Sequence, residues 1–175
     1  MIASGIIRRI DELGRIVIPK EIRKKLRIKT GDNLEILVEG DDILLKKYSL
    51  VENLESFAQM YADSFHNVLK YNVIITDNDK VVAISGNLKN KYLNKDISME
   101  ISKMIERREY KSVIRKEKIE ISSGIYEECY YSCAPIINNG DSIGEVIILS
   151  SDTPILPHEE KMATILSNII CNYFI

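Results

Sequence analysis

The 175-residue sequence is poor in the residues that staple, chelate or loosen a chain. It has three cysteines, Cys129, Cys133 and Cys171. An odd, small count is no disulfide framework and points to reduced thiols. The two histidines, His66 and His158, lie far apart. Cys129-x-x-x-Cys133 therefore has no second close ligand pair, and no zinc site is expected. Eight glycines and four prolines leave no room for long flexible linkers. No apolar run approaches the ~20 residues of a membrane span, and the N-terminus lacks a signal-peptide core. A soluble, cytoplasmic chain with no membrane partner is expected. GxxxxGK(S/T), GxGxxG and HExxH are all absent, so no motif here implies a cofactor, a metal or a catalytic centre.

What is present is a globular composition, 45% apolar and 29% charged, long enough for one ordinary domain or two small ones. The net charge of −2 hides a split. Residues 1–50 hold 11 Lys/Arg against 8 Asp/Glu, a net of +3, and residues 51–175 hold 13 against 18, a net of −5. Within residues 1–30 the balance is 9 against 3. A basic head on an acidic body suggests a nucleic-acid-binding head.

The head reads as β-β-α-β-β. Gly5–Ile10 is rich in β-branched residues and is predicted as a strand. Asp11-Glu-Leu-Gly14 is a turn, with glycine free to take positive φ, and Arg15–Ile18 is a second strand. Pro19 ends that strand and suits the start of a short helix over Lys20–Leu26. Asn33–Val38 and Ile43–Lys47 are strands joined by the hairpin signal Glu39-Gly-Asp-Asp42. Fifty residues bury only about 60% of their unfolded surface, which is marginal for a lone domain. Two chains that interleave strands would remove the deficit and close the open edges. Pairing would also repeat the basic stretch about a two-fold axis, which suits DNA with two related half-sites.

Gly5-Ile-Ile-Arg-Arg-Ile-Asp-Glu-Leu-Gly-Arg-Ile-Val-Ile-Pro-Lys-Glu-Ile-Arg23, with Gly31-Asp-x-Leu-Glu-Ile36 and Leu44-Leu-Lys-Lys-Tyr48, closely resembles the AbrB-type transition-state regulators. The resemblance implies a dimeric swapped-hairpin barrel that binds double-stranded DNA, often in A·T-rich regions, through its loops and short helix. Carried over by position, the DNA-contacting basic residues are Arg8, Arg15, Arg23 and Lys24, with Arg9 and Lys20 as neighbouring candidates. Lys24 brings a point charge where relatives often carry an arginine fork. Arginine forks reach guanine edges or phosphates, and a shape-reading protein gains selectivity from DNA deformation. Lys25, Arg27 and Lys29 read as solvated charges.

The predicted boundaries are 1–48 for this head, 49–70 for a linker helix and 71–175 for a second domain. Ser49-Leu-Val-Glu52 has the pattern of a capping box. Leu50, Leu54, Phe57, Tyr61, Phe65 and Val68 form one predicted helical stripe. Beyond it come strands Asn72–Asp77 and Lys80–Ser85, a polar loop Asn87–Asp96, and a helix Ser98–Arg108 capped by Ser98. Strands Ser112–Ser122, Tyr126–Ile137 (breaking near Pro135) and Ser142–Ser150 follow, the last two joined by the turn Asn138-Asn-Gly-Asp141. A final helix opens at Pro157 and turns Met162, Ile165, Leu166, Ile169, Ile170 and Tyr173 inward. An antiparallel sheet flanked by helices is an α+β design. The order, with Pro135-Ile-Ile-x-x-Gly140-x-x-Ile-Gly-x-Val, resembles a GAF-like sensory domain. The pairing of both parts resembles sporulation transcription regulators that act in the forespore and assemble as tetramers through both domains.

GAF-like domains often hold a small molecule. The candidate lining residues are Asn87 and Tyr92, from the stretch after the second strand, and Tyr126 and Tyr130, which share one face of a strand. No ligand is identifiable from them. Two other readings compete. Some GAF-like proteins reduce methionine sulfoxide with cysteines, but Cys129 and Cys133 lie four residues apart on a strand, about 13 Å, too far for a disulfide. AbrB-type heads also occur in antitoxins, which carry a disordered toxin-binding tail that a regular body of about 125 residues does not resemble. The expected function is DNA-binding transcription regulation, as activator and repressor, without enzymatic activity.

Overall fold

The computed structural model describes residues 6–48 and 55–173. The chain divides into two compact units, Met1–Tyr48 and Ser49–Ile175.

In the N-terminal unit, α1 (Lys20–Lys25) starts directly after Pro19. Its C-terminus closes with Ile28 N–H on the Arg23 carbonyl at 2.8 Å while Arg27 turns to φ +52°. Strands β1 (Leu34–Glu39) and β2 (Asp42–Lys47) pair antiparallel, from Leu34 opposite Lys47 to Glu39 opposite Asp42. All three positions agree with the sequence reading to within a residue. The two strands expected nearer the N-terminus are different. Residues 6–10 and 15–18 make no ladder, and Gly5 lies outside the described residues. Their apolar side chains stand in solvent, Ile7 at 91% and Val17 at 75% exposure. Strand-forming sequence without a strand partner in its own chain is the physical reason for the difference.

The C-terminal unit is a three-layer α+β structure. Helix α2 (Glu55–Leu69) leads into β3 (Asn72–Thr76) and β4 (Val81–Ser85). The short α3 (Lys89–Tyr92) and α4 (Met99–Arg107) come next. Then follow β5 (Lys111–Ser112), β6 (Glu117–Ser122), β7 (Ile125–Asn138), β8 (Asp141–Ser150) and α5 (Pro157–Asn172). The sheet runs β4-β3-β8-β7-β5, with β6 on β7, and every pairing is antiparallel. One face packs Ile74, Ile147 and Leu149 against Ile101, Met104 and Ile105 of α4 and against Tyr92. The opposite face packs Val73, Val146 and Ile148 against Ala58 and Ala62 of α2 and Ala163, Leu166 and Ile170 of α5. Gly144 permits the closest approach in the sheet: a Cβ there would lie 2.0 Å from the Thr76 carbonyl oxygen.

Several sequence expectations need correction. Of the predicted α2 stripe, Tyr61 and Phe65 pack half-buried against the core, but the fully buried positions are Ala58 and Ala62 and Val68 is 80% exposed, because the helix is rotated about one position from the large-residue stripe. Leu50, Leu54 and the capping pattern lie outside the described residues. The polar stretch 87–96 contains α3, which swings Tyr92 into the core. The strand expected over 112–122 is two pieces, β5 and β6, and β7 runs unbroken past Pro135. On α5, Ile165 faces solvent and small residues, Ala163 and Ser167, take the inner positions; Tyr173, just past the helix and half-exposed, packs its ring on Phe57 of α2 with centroids 4.0 Å apart.

Beyond Cys133, β7 has a strand neighbour only in β8 among the described residues. Helix α5 meets it there. The Ser132 hydroxyl donates to the Glu160 carbonyl at 2.9 Å, the Ser167 hydroxyl to the Pro135 carbonyl, and the Cys171 thiol to the Ile137 carbonyl at 2.7 Å.

Candidate nucleic-acid interface

The basic residues of the head sit on the segment that carries no ladder and on α1. Arg8, Arg9, Arg15, Lys20, Arg23 and Lys24 are all exposed. The six residues of α1 are too short a helix to persist by propensity, and no residue of it is buried. Arg23, Lys24 and Lys25 occupy its last turn, where cations complement the helix dipole.

The turn that places Arg15 is built around Asp11. Gly14 takes φ +75°, and its N–H donates to the Asp11 carbonyl at 2.9 Å. Asp11 N–H donates to the Arg15 carbonyl at 3.0 Å. Carboxylate oxygen Oδ1 accepts Leu13 N–H at 3.0 Å and Arg15 N–H at 2.8 Å. Oδ2 accepts Arg15 Nε–H at 2.7 Å. These bonds from Arg15, backbone first and side chain second, hold the Asp11 carboxyl below its ordinary range. Sequence alone marks Asp11 only as a turn former; an acidic residue four before an arginine was the available signal.

The four candidate ligand residues of the C-terminal unit do not converge. Tyr92 is fully buried, and its hydroxyl donates to Glu127 Oε1 at 2.7 Å, which Lys91 Nζ also contacts. Burial and Glu127 push the Tyr92 hydroxyl well above its ordinary range. Tyr130 packs at the edge of the opposite core, and Tyr126 is half-exposed under Lys118 Nζ at 4.2 Å. Asn87 is exposed. A cavity of about 210 Å³ lies elsewhere, lined by Tyr110, Lys111, Ser132, Cys133 and Lys161 among others.

Cys129 and Cys133 are buried and unbridged. Burial pushes the Cys129 thiol up to about 12 and raises Cys133 as well, so neither is a ready thiolate nucleophile. Among the described residues, no group of three or more His, Cys, Asp or Glu could hold a metal ion. No helix among them is long and apolar enough to cross a membrane.

Glu145 is the polar residue that sequence reasoning missed. It lies in β8 opposite Thr76 and Pro135, on the α4 side of the sheet, with 0% exposure. Its N–H reaches Thr76 Oγ1 at 3.2 Å, yet both carboxyl oxygens are buried without a hydrogen-bond partner. Burial, with Glu109 second, pushes its pKa up to about 9. A charge in the middle of Ile143–Leu149 was the visible signal.

Comparison with known proteins assigns both units. The family model described as stage V sporulation protein T C-terminal, transcription factor, matches residues 53–172. The model for antidote-toxin recognition MazE, bacterial antitoxin, matches residues 7–52. Stage V sporulation protein T of Bacillus subtilis (strain 168) is 44% identical over 163 residues, 92% of each chain. Transition state regulatory protein AbrB of the same organism is 54% identical over 48 residues, 27% of this chain and 50% of that protein. The cofactor-binding GAF domain of the nutrient sensor CodY from Clostridium difficile superposes with a TM-score of 0.52 at 13% identity. It covers 89% of this chain and 94% of that one, a likeness of fold alone.

Proposed function

The chain belongs to the stage V sporulation protein T family, and from that premise we propose how its AbrB-like head and GAF-like body regulate transcription during sporulation. The heads pair as homodimers in which residues 6–10 and 15–18 of one chain complete the sheet of another. The exposure of Ile6, Ile7, Ile10, Ile16 and Val17 beside a two-stranded hairpin is the observation that carries this reading. Pairing duplicates Arg8, Arg9, Arg15, Lys20, Arg23 and Lys24, and these residues contact double-stranded DNA.

Arg15 and Arg23 supply forks for base edges or phosphates, and Lys20 and Lys24 supply point charges. A·T-rich duplexes, with their narrow minor groove and distinct stiffness, are the preferred targets. The bodies join dimers into a homotetramer through α2 and α5. Met60 and Val68 on one helix and Ile165 on the other leave exposed apolar side chains for that contact. Two linked heads then gain affinity through effective concentration. The protein acts in the cytoplasm of the forespore on nucleoid DNA, as activator and repressor, with its body open to modulation by a small molecule. The folded body speaks against the antitoxin reading, and the buried thiols against a redox enzyme.

Fluorescence anisotropy of labelled A·T-rich and mixed-sequence duplexes, titrated against salt, tests this. Each phosphate that a variant leaves unneutralised should flatten the slope of log K against log salt by about 0.9. Arg23→Ala is expected to bind more weakly and less steeply. Absence of binding at low salt, or identical slopes for wild type and Arg23→Ala, overturns the assignment.

A further inference from the structure

We infer that Asp11 is a positioning residue that turns Arg15 into a reader of base edges and away from a phosphate anchor. The inference rests on the reading above that Arg15 contacts DNA. A guanidinium has two edges that can form paired hydrogen bonds: one made of Nε and an Nη, the other of the two Nη atoms. Asp11 Oδ2 takes Nε–H at 2.7 Å. The free edge is then the Nη pair, the fork that fits guanine O6 and N7. The side chain is also held at a second point, because Oδ1 of the same carboxylate bonds the Arg15 backbone N–H at 2.8 Å. Backbone and fork of Arg15 are thus referred to a single carboxylate, itself fixed by Leu13 N–H and by the turn at Gly14.

Stability does not explain this pair. The two side chains are 71% and 42% exposed, and an ion pair so open to solvent adds little to stability. The turn itself needs only one acceptor oxygen for the Leu13 and Arg15 N–H groups, which asparagine supplies equally well. What asparagine lacks is the charge on the second oxygen. That charge offsets the pull of Arg15 on phosphates while leaving its directed donors free. Phosphate contacts raise affinity for every sequence, and base-edge contacts raise it for one. An arginine neutralised at its base and exposed at its tip therefore adds to selectivity more than to general affinity.

The test uses the full chain and two probes: a duplex selected from a random library by the wild-type protein, and a duplex of the same composition in shuffled order. Asp11→Asn keeps the turn and releases Arg15 to the phosphates. Affinity for the shuffled duplex should rise, with a salt slope steeper by about 0.9 per engaged head. The ratio of the two affinities should fall by about fivefold or more, the lower range for one bidentate base contact. Arg15→Lys leaves Asp11 in place but removes the fork; the ratio should fall there too, and Asp11→Asn added to it should change the ratio no further. Equal weakening on both duplexes in Asp11→Asn, or full selectivity in Arg15→Lys, overturns the inference. If Arg15→Ala alters neither duplex while Arg23→Ala weakens both, the DNA contact of Arg15 is what fails, and the role of Asp11 falls with it.

Discussion

Replacing Glu145 by glutamine should make the C-terminal unit more stable at neutral pH, and the size of the gain follows from its burial. The folded-state carboxyl is raised to about 9 from an ordinary 4.5. Between those values the folded protein holds a proton that the unfolded chain has released. Stability from this group is therefore intact below about pH 4.5 and is lost progressively as pH rises toward about 9. At pH 7 the shortfall is about 3 kcal/mol, and at pH 5 it is below about 1 kcal/mol, from 1.36 kcal/mol per pH unit of separation. Glutamine has nearly the same shape and no proton to hold. Urea unfolding of wild type and Glu145→Gln from pH 5 to pH 9, at one protomer concentration, isolates the group by difference. The two curves should diverge with a slope of about 1.4 kcal/mol per pH unit and flatten near pH 9. Parallel curves, or a glutamine variant less stable at pH 7, refute the reasoning.

Ser98 caps α4, accepting Ile101 N–H at 3.1 Å and donating to the Glu120 carbonyl. Ser98→Ala should cost about 1–2 kcal/mol, read as a lower urea midpoint with unchanged m-value. Arg108 ends the same helix at φ +53°, a left-handed conformation that burdens a side chain. Arg108→Gly should raise stability by about 1 kcal/mol, and a loss in thermal melts would count against that conformation. Gly144→Ala sets a Cβ into the Thr76 carbonyl, and a drop of about 3 kcal/mol is expected in the same assay.

Elements with one dominant local signal were legible from residues alone. Pro19 before α1, the turn Asn138–Asp141 and the Ser98 cap each depend on neighbours a few positions away, and each lies where expected. Elements decided at long range were not. The face of α2 is chosen by the sheet beneath it, which admits Ala58 and Ala62 and turns Val68 out. Tyr92 enters the core because Glu127, thirty-five residues on, accepts its hydroxyl, a partnership invisible in a polar stretch. The basic residues of the head were readable as a set, since charge and turn chemistry are local. The bond between Asp11 and Arg15 needed the folded structure. So did the solitude of Glu145, since burial of a carboxyl depends on strands drawn from distant parts of the chain.

The three hydrogen bonds between α5 and β7 share a common measure. From residue 160 to residue 171 a helix rises about 16 Å at 1.5 Å per residue. From residue 132 to residue 137 a strand advances about the same distance at 3.3 Å per residue. Eleven helical steps equal five extended ones, so helix and strand mesh like a rack and pinion, with teeth at Ser132, Ser167 and Cys171. Deleting one residue from the helix between positions 160 and 167 would slip both later teeth together, whereas replacing any tooth would leave the other two engaged. Two of those teeth, Ser167 and Cys171, also occupy the Pro135 and Ile137 carbonyls, so beyond Cys133 the helix takes acceptors that a neighbouring strand would otherwise claim.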